Sequence, residues 1–84
     1  MLTSMIKSNY TCGIDIGTQS TRVVVIGYTK GKKDPSLLAV GSAETNGMRR
    51  GYITNTDQVA LSIKKAITQA EMTLGSKIRR AFIS

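Results

Sequence analysis

Cys12 to Ile26 reads CGIDIGTQSTRVVVI, and this stretch decides the fold. Two apolar runs, Gly13-Ile14-Asp15-Ile16 and Val23-Val24-Val25-Ile26, flank a short polar turn. β-Branched residues dominate both runs, as half-buried pleated strands favour. Gly17, Thr18, Gln19, Ser20 and Thr21 lie between them. The stretch therefore predicts a β-hairpin with a hydroxyl-rich tip, and Asp15 stands just before the bend.

Residue types at that tip fit two readings. One is an ordinary hairpin with a glycine at its turn. The other is a phosphate loop. Gly17 lacks a Cβ, so it turns tightly, tolerates a positive φ and lets another group approach the backbone. Successive N–H groups in such a turn make a concave anion-binding nest. Thr18, Gln19 and Ser20 add side-chain donors, and Arg22 supplies a cation. Asp15 suits a hydrated Mg²⁺, which keeps several waters and uses few protein carboxylates. Strand alternation sets Asp15 on the face opposite Ile14 and Ile16. An unpaired carboxylate is tolerable there only if that face is open.

Outward from the hairpin, Tyr10 to Ile16 is the first predicted strand and Arg22 to Tyr28 the second. Met1 to Asn9 reads as a flexible N-terminal lead, followed over 10–84 by the first part of a truncated subdomain. Thr29 to Pro35 is a charged loop punctuated by Gly31 and Pro35. Ser36 to Thr45, SLLAVGSAET, is the third strand. Gly41 inside it signals a bulge or a close backbone approach. Short connections make the three an antiparallel meander. Asn46 to Thr54, NGMRRGYIT, is too glycine-rich for a helix and too irregular for a strand, so it reads as a connecting loop.

Asn55 to Leu74 carries Val59, Ile63, Ala66, Ile67, Ala70 and Leu74 at helical spacing. Asn55 is the expected N-cap, with Gln58 placed for a capping box. Asp57 suits the first turn. Gly75 is the expected left-handed stop, with Lys77 just beyond. Ile78 to Ser84 begins another strand, with Ala81, Phe82 and Ile83 as its apolar part. A strand after a helix returns parallel to the sheet.

Composition bounds the function classes. Eighty-four residues make one small domain, and 5% aromatics with no Trp leave few large core anchors. No apolar run approaches a membrane span, and Met1 to Asn9 has no signal-peptide pattern. One Cys and no His argue against a disulfide framework and a zinc site. Cys12 reads as a small buried hydrophobe. Net charge is +7, but Tyr10, Tyr28, Tyr52 and Phe82 do not interleave with the basic clusters. That argues against a nucleic-acid surface, which interleaves the two.

GIDIGTQSTRVVV resembles the first phosphate motif of the actin-like ATPase superfamily, which includes actin, Hsp70 chaperones and sugar kinases. Asp15, Gly17 and Thr18 match that motif, and Arg22 stands where many members have Lys. The order of three antiparallel strands, a helix and the start of a parallel strand resembles an incomplete RNase H-like, actin-like ATPase subdomain of α/β class. Further along, Gly47, Met48, Gly51, Ile53 and Asn55 resemble a segment of the FtsA family of bacterial cell-division proteins. So do Ser62, Ile63, Ala66, Ile67, Ala70, Glu71 and Gly75. The resemblance runs from about Gly13 to Ser84.

The resemblance implies the N-terminal part of an ATP- and Mg²⁺-binding protein that polymerises and anchors the FtsZ ring. It would work at the septum, on the cytoplasmic face of the membrane, through a C-terminal amphipathic helix outside these residues. ATPase activity would need the remainder of such a protein, since no residue here orients an attacking water. Gln19 reads as a loop donor and Glu71 as a solvated or locally hydrogen-bonded residue. The alternatives are a sugar kinase and a pilus-assembly or chaperone relative of the same superfamily. A kinase would show an acidic or Trp-bearing substrate loop where this chain has NGMRRGYI.

Overall fold

β1 (Tyr10–Ile16) and β2 (Ser20–Gly27) pair antiparallel in unbroken register, from Tyr10 opposite Gly27 to Ile16 opposite Thr21. The computed structural model describes residues 10–29 and 31–83, with the Phe82 side chain left aside. The expected lead over Met1 to Asn9 lies outside the described residues, as do Lys30 and Ser84.

β3 (Ser36–Glu44) adds antiparallel to β2. Register passes from Val25 opposite Ala39 to Ile26 opposite Leu37, so Leu38 is an extra residue in a bulge. β6 (Phe82–Ile83) pairs parallel with β1, giving the sheet order β3-β2-β1-β6. The meander and the parallel return are as the sequence predicts.

α1 (Thr56–Leu74) packs on one face of this sheet, against β3 and β2. Asn55 caps it, its side-chain oxygen accepting the Gln58 N–H at 3.0 Å. Gly75 ends it at φ 82°, donating its N–H to the Glu71 carbonyl at 2.8 Å. Val59, Ser62, Ala66 and Ala70 are the helix's buried residues, and Ile63, Ile67 and Leu74 pack at the core margin.

The core is built from small side chains: Cys12, Ile14, Val23, Val25, Ala39, Ala66 and Ala70. That suits a chain without Trp, because small residues let the helix sit close on the sheet. Gly41 marks the closest approach, where a Cβ would overlap the Ala66 carbonyl. Of the two meanings of a glycine in that strand, close approach holds at Gly41, and the bulge lies at Leu38. Ser62 is buried because its hydroxyl is satisfied twice. It donates to the Gln58 carbonyl and accepts the Asn46 N–H, both at 3.0 Å.

Three boundaries differ from expectation. β2 starts at Ser20 rather than Arg22, because Ser20 and Thr21 already pair with Glu44 and Ala43. The final strand is only Phe82–Ile83. Before it, the chain is held by side chains: Glu71 accepts the Ile78 N–H at 2.7 Å, and the Tyr10 hydroxyl donates to the Lys77 carbonyl at 3.2 Å. Glu71 also lies 3.9 Å from the Lys77 ammonium, so it is locally bonded as expected.

The third difference is NGMRRGYIT, which is not a plain loop. β4 (Met48–Arg49) and β5 (Tyr52–Ile53) form a two-stranded antiparallel ribbon. Arg50 and Gly51 link them at φ 52° and 81°, the doubly left-handed turn that matches strand twist. Two-residue strands are too short to show alternation. Arg50 also occupies the position where Asn or Asp usually announces this turn.

Candidate functional site

The tip of the β1–β2 hairpin is Gly17, Thr18 and Gln19. Gly17 donates its N–H to the Ser20 carbonyl at 2.9 Å. Its φ is not left-handed, contrary to expectation. A Cβ there would stand 3.0 Å from the Ser20 carbonyl oxygen, a tight contact that favours a glycine. The Gly17 amide is therefore engaged within the turn. Among the described residues the Thr18 and Gln19 N–H groups meet no partner, and both residues are exposed.

The tip is braced from below. Gln19 accepts the Thr45 N–H on its carbonyl at 2.9 Å. The hydroxyls of Thr21 and Thr45 meet at 2.7 Å in a buried contact. It is braced from the side by the β4–β5 ribbon, since the Gly51 N–H donates to Thr18 Oγ1 at 3.1 Å. A threonine hydroxyl that accepts one bond still has its proton to donate.

Pairing sorts the other residues by face. Cys12 and Ile14 of β1 are buried under the helix, and Asp15 is exposed on the opposite face. Asp15 stands directly opposite Arg22, and Arg22 opposite Ser42. Ser20 stands opposite Glu44. The tip end of the open face is thus a polar field of Asp15, Ser20, Arg22, Ser42 and Glu44. No hydrogen bond or ion pair joins the Asp15 carboxylate to a described residue, although Arg22 is its cross-strand neighbour. Among the described residues no three His, Cys, Asp or Glu converge as a metal cluster. Asp15 and Glu44 are exposed carboxylates on one face, carried by β1 and β3 with β2 between them.

Gly17, Thr18, Gln19 and Ser20 are therefore together at one end of the sheet, with Asp15 and Arg22 beside them. Sequence reasoning missed Glu44, Thr45 and the β4–β5 ribbon. Alternation along SLLAVGSAET puts Ser42 and Glu44 on one face, so that signal was available. Nothing in the sequence announced the bond from Gly51 to Thr18, which spans 33 positions.

No protein-family model matches the chain. Cell division protein FtsA of Enterococcus faecalis is 37% identical over 75 residues, 89% of this chain and 17% of that protein. Cell division protein FtsA of Bacillus subtilis is 38% identical over 72 residues, 83% of this chain and 16% of that protein. The chain is a relative of FtsA. It spans about a sixth of the length of these FtsA proteins, whose matched shares are 17% and 16%. A solved structure, that of diol dehydratase-reactivating factor in nucleotide-free form, aligns with TM-score 0.60 and 26% identity. The alignment covers 82% of this chain and 10% of that one. The fold is accordingly that of an incomplete actin-like ATPase subdomain. The TxS-type tip and the helix-packed meander are what this chain contributes to that architecture.

Proposed function

We propose that residues 10–84 form the phosphate-binding opening of an FtsA-like actin-family protein that binds ATP with Mg²⁺. The observation that carries this is the tip itself. The Thr18 and Gln19 N–H groups are open, the Thr18 hydroxyl proton is free to donate, and Asp15 stands unpaired on the adjoining open face. Such backbone donors hold phosphate oxygens. In this reading Thr18, Gln19 and Ser20 hold phosphate, Gly17 keeps the turn narrow, and Arg22 adds positive charge. Asp15 faces the hydrated ion, with Glu44 nearby on the same face.

The FtsA relation supports the wider reading. The whole protein would self-assemble and connect the FtsZ ring to the cytoplasmic face of the membrane at the septum. Sugar-kinase and pilus or chaperone readings are not favoured, because the relatives named are division proteins.

One experiment tests the site. The 84-residue chain, labelled with ¹⁵N, is titrated with Mg·ATP while backbone amide shifts are followed. The expected result is millimolar binding with shifts centred on Thr18, Gln19 and Ser20. Affinity is weak because one hairpin cannot enclose a nucleotide, and small ligands gain most from concave enclosure. Shifts centred elsewhere, or none at tens of millimolar nucleotide, would overturn the reading. A low-micromolar dissociation constant by calorimetry would equally contradict the open-tip account.

A further inference from the structure

The β4–β5 ribbon is more than a connection between β3 and α1, because its turn is bonded to the hairpin tip. The Gly51 N–H reaches Thr18 Oγ1 at 3.1 Å. Arg50 is the residue just before Gly51, with its Cα about 3.8 Å from that of Gly51. It is exposed, and among the described residues it is the one non-glycine with positive φ, at 52°. Asn, Asp or Gly occupies this turn position at less strain. Strained backbone retained at an exposed site points toward function, when geometry elsewhere agrees.

Here the geometry agrees. The bond from Gly51 uses a lone pair of the Thr18 hydroxyl and leaves its proton available to donate. The open Thr18 and Gln19 amides stand beside it. An arginine anchored one residue from that bond spans the distance to an anion held there. Guanidinium is the group best matched to phosphate oxygens, which it contacts in pairs. Arg22 is anchored within the sheet, between Asp15 and Ser42, and not on the ribbon that reaches the tip. Arg49 lies within the ribbon's ladder, opposite Tyr52.

We infer that Arg50 is a further phosphate ligand of the site, carried to the hairpin tip by the β4–β5 ribbon. The inference rests on the phosphate-loop reading of that tip. The ribbon does two things at once: it orients the Thr18 hydroxyl through Gly51, and it delivers a second cation. Phosphate binding therefore fixes the ribbon against β1–β2, and the ribbon position reports whether phosphate is present.

The test uses the 84-residue chain and sodium tripolyphosphate as probe, followed by ¹⁵N amide shifts at fixed salt. Arg50→Asn removes the charge while keeping a residue that accepts left-handed backbone. The parent should show saturable shifts at Thr18 and Gln19 and also at Gly51. Arg50→Asn should bind at least five-fold more weakly, and Arg49→Asn within two-fold of the parent. Arg50→Lys should recover part of the affinity and Arg50→Gln none, which covers the case in which the Asn variant disturbs the ribbon. Parent-like affinity in Arg50→Asn and Arg50→Gln, with the Thr18 shifts intact, would overturn the role of Arg50 and leave the phosphate loop standing. Absence of Thr18 and Gln19 shifts in the parent would overturn both.

Discussion

The two faces of the sheet are built to opposite rules. Under α1, the face carries Cys12, Ile14, Val23, Val25 and Ala39, all buried against Ala66 and Ala70. On the other side, Asp15, Arg22, Ser42 and Glu44 are exposed, and Val40 and Ile26 remain 41% and 43% accessible. Neighbouring residues in one strand thus experience opposite constraints. The covered face admits no extra atom, while the open face admits charge. In this molecule the covered face determines whether the chain folds, and the proposed phosphate and metal contacts lie at the tip end and on the open face.

The sharpest way to break that division is Gly41→Val. A Cβ there meets the Ala66 carbonyl, which belongs to helix backbone and cannot rotate away. Overpacking of a rigid contact costs about 3 kcal/mol. For a domain of this size that corresponds to a fall in melting temperature of about 12 °C or more. Thermal unfolding by circular dichroism reads it. Val40→Ala, one position away on the open face, should change stability by less than about 0.5 kcal/mol. Similar losses in the two variants would erase the distinction between faces.

A smaller effect is expected at Thr21, which is fully buried and bonded to the Thr45 hydroxyl at 2.7 Å. Thr21→Val keeps the shape and leaves the Thr45 hydroxyl without its partner. A buried hydroxyl stranded in this way costs about 1–2 kcal/mol. The double variant Thr21→Val with Thr45→Val should recover much of the loss, since removing both partners can be nearly neutral. A double-mutant cycle by denaturant unfolding checks it. Additive losses would show that the pair does not brace the tip.

Most of this covered face was legible in the sequence, and the reason is physical. The β-branched apolar runs GIDI and VVVI and the helical spacing from Val59 to Leu74 are local patterns that burial imposes over several residues. The Asn55 cap and the Gly75 stop are local as well, and both hold in the structure. The site was legible in part. Gly17, Thr18, Gln19 and Ser20 are contiguous and necessarily stay together. Alternation gives the face of Glu44 but not its strand partner, and Gly51 reaches the tip only through a long-range bond that no local pattern encodes. The ribbon escaped because its strands are two residues each and Arg50 hides its turn.

Cys12 gives a pH-dependent probe of the covered face. It is free and buried, and burial raises its thiol above the ordinary range by penalising the thiolate. In the unfolded chain the thiol ionises at its ordinary pKa, near 8.5. Above that pH the unfolded state has lost a proton that the folded state keeps. Stability from this group is therefore complete below about pH 8.5 and declines as pH rises toward the raised folded value, by at most about 1.4 kcal/mol per unit. Cys12→Ala should be less stable overall, with a shallower alkaline decline. Unfolding in denaturant between pH 7 and 10, parent against variant, measures the difference. Parallel curves would mean that the thiol ionises freely in the folded state.

The smallest expected effect on the fold is at Asp15, and there the open face is tested directly. Asp15 is exposed, and no described residue accepts or donates a bond to its carboxylate. It therefore does not cap the hairpin backbone. Asp15→Asn should shift stability by less than about 0.5 kcal/mol, as surface substitutions do. Its effect should instead appear in ligand binding. The amide keeps size and hydrogen-bonding capacity while removing the charge that balances a bound cation. Amide-shift titrations with ATP, in Mg²⁺ and in EDTA, separate the two roles. The parent should bind more tightly with Mg²⁺ than with EDTA, and Asp15→Asn should lose most of that difference. If the variant keeps the Mg²⁺ dependence of the parent, Asp15 is not the metal-side acid. Glu44, exposed on the same face and paired opposite Ser20, is then the carboxylate to replace.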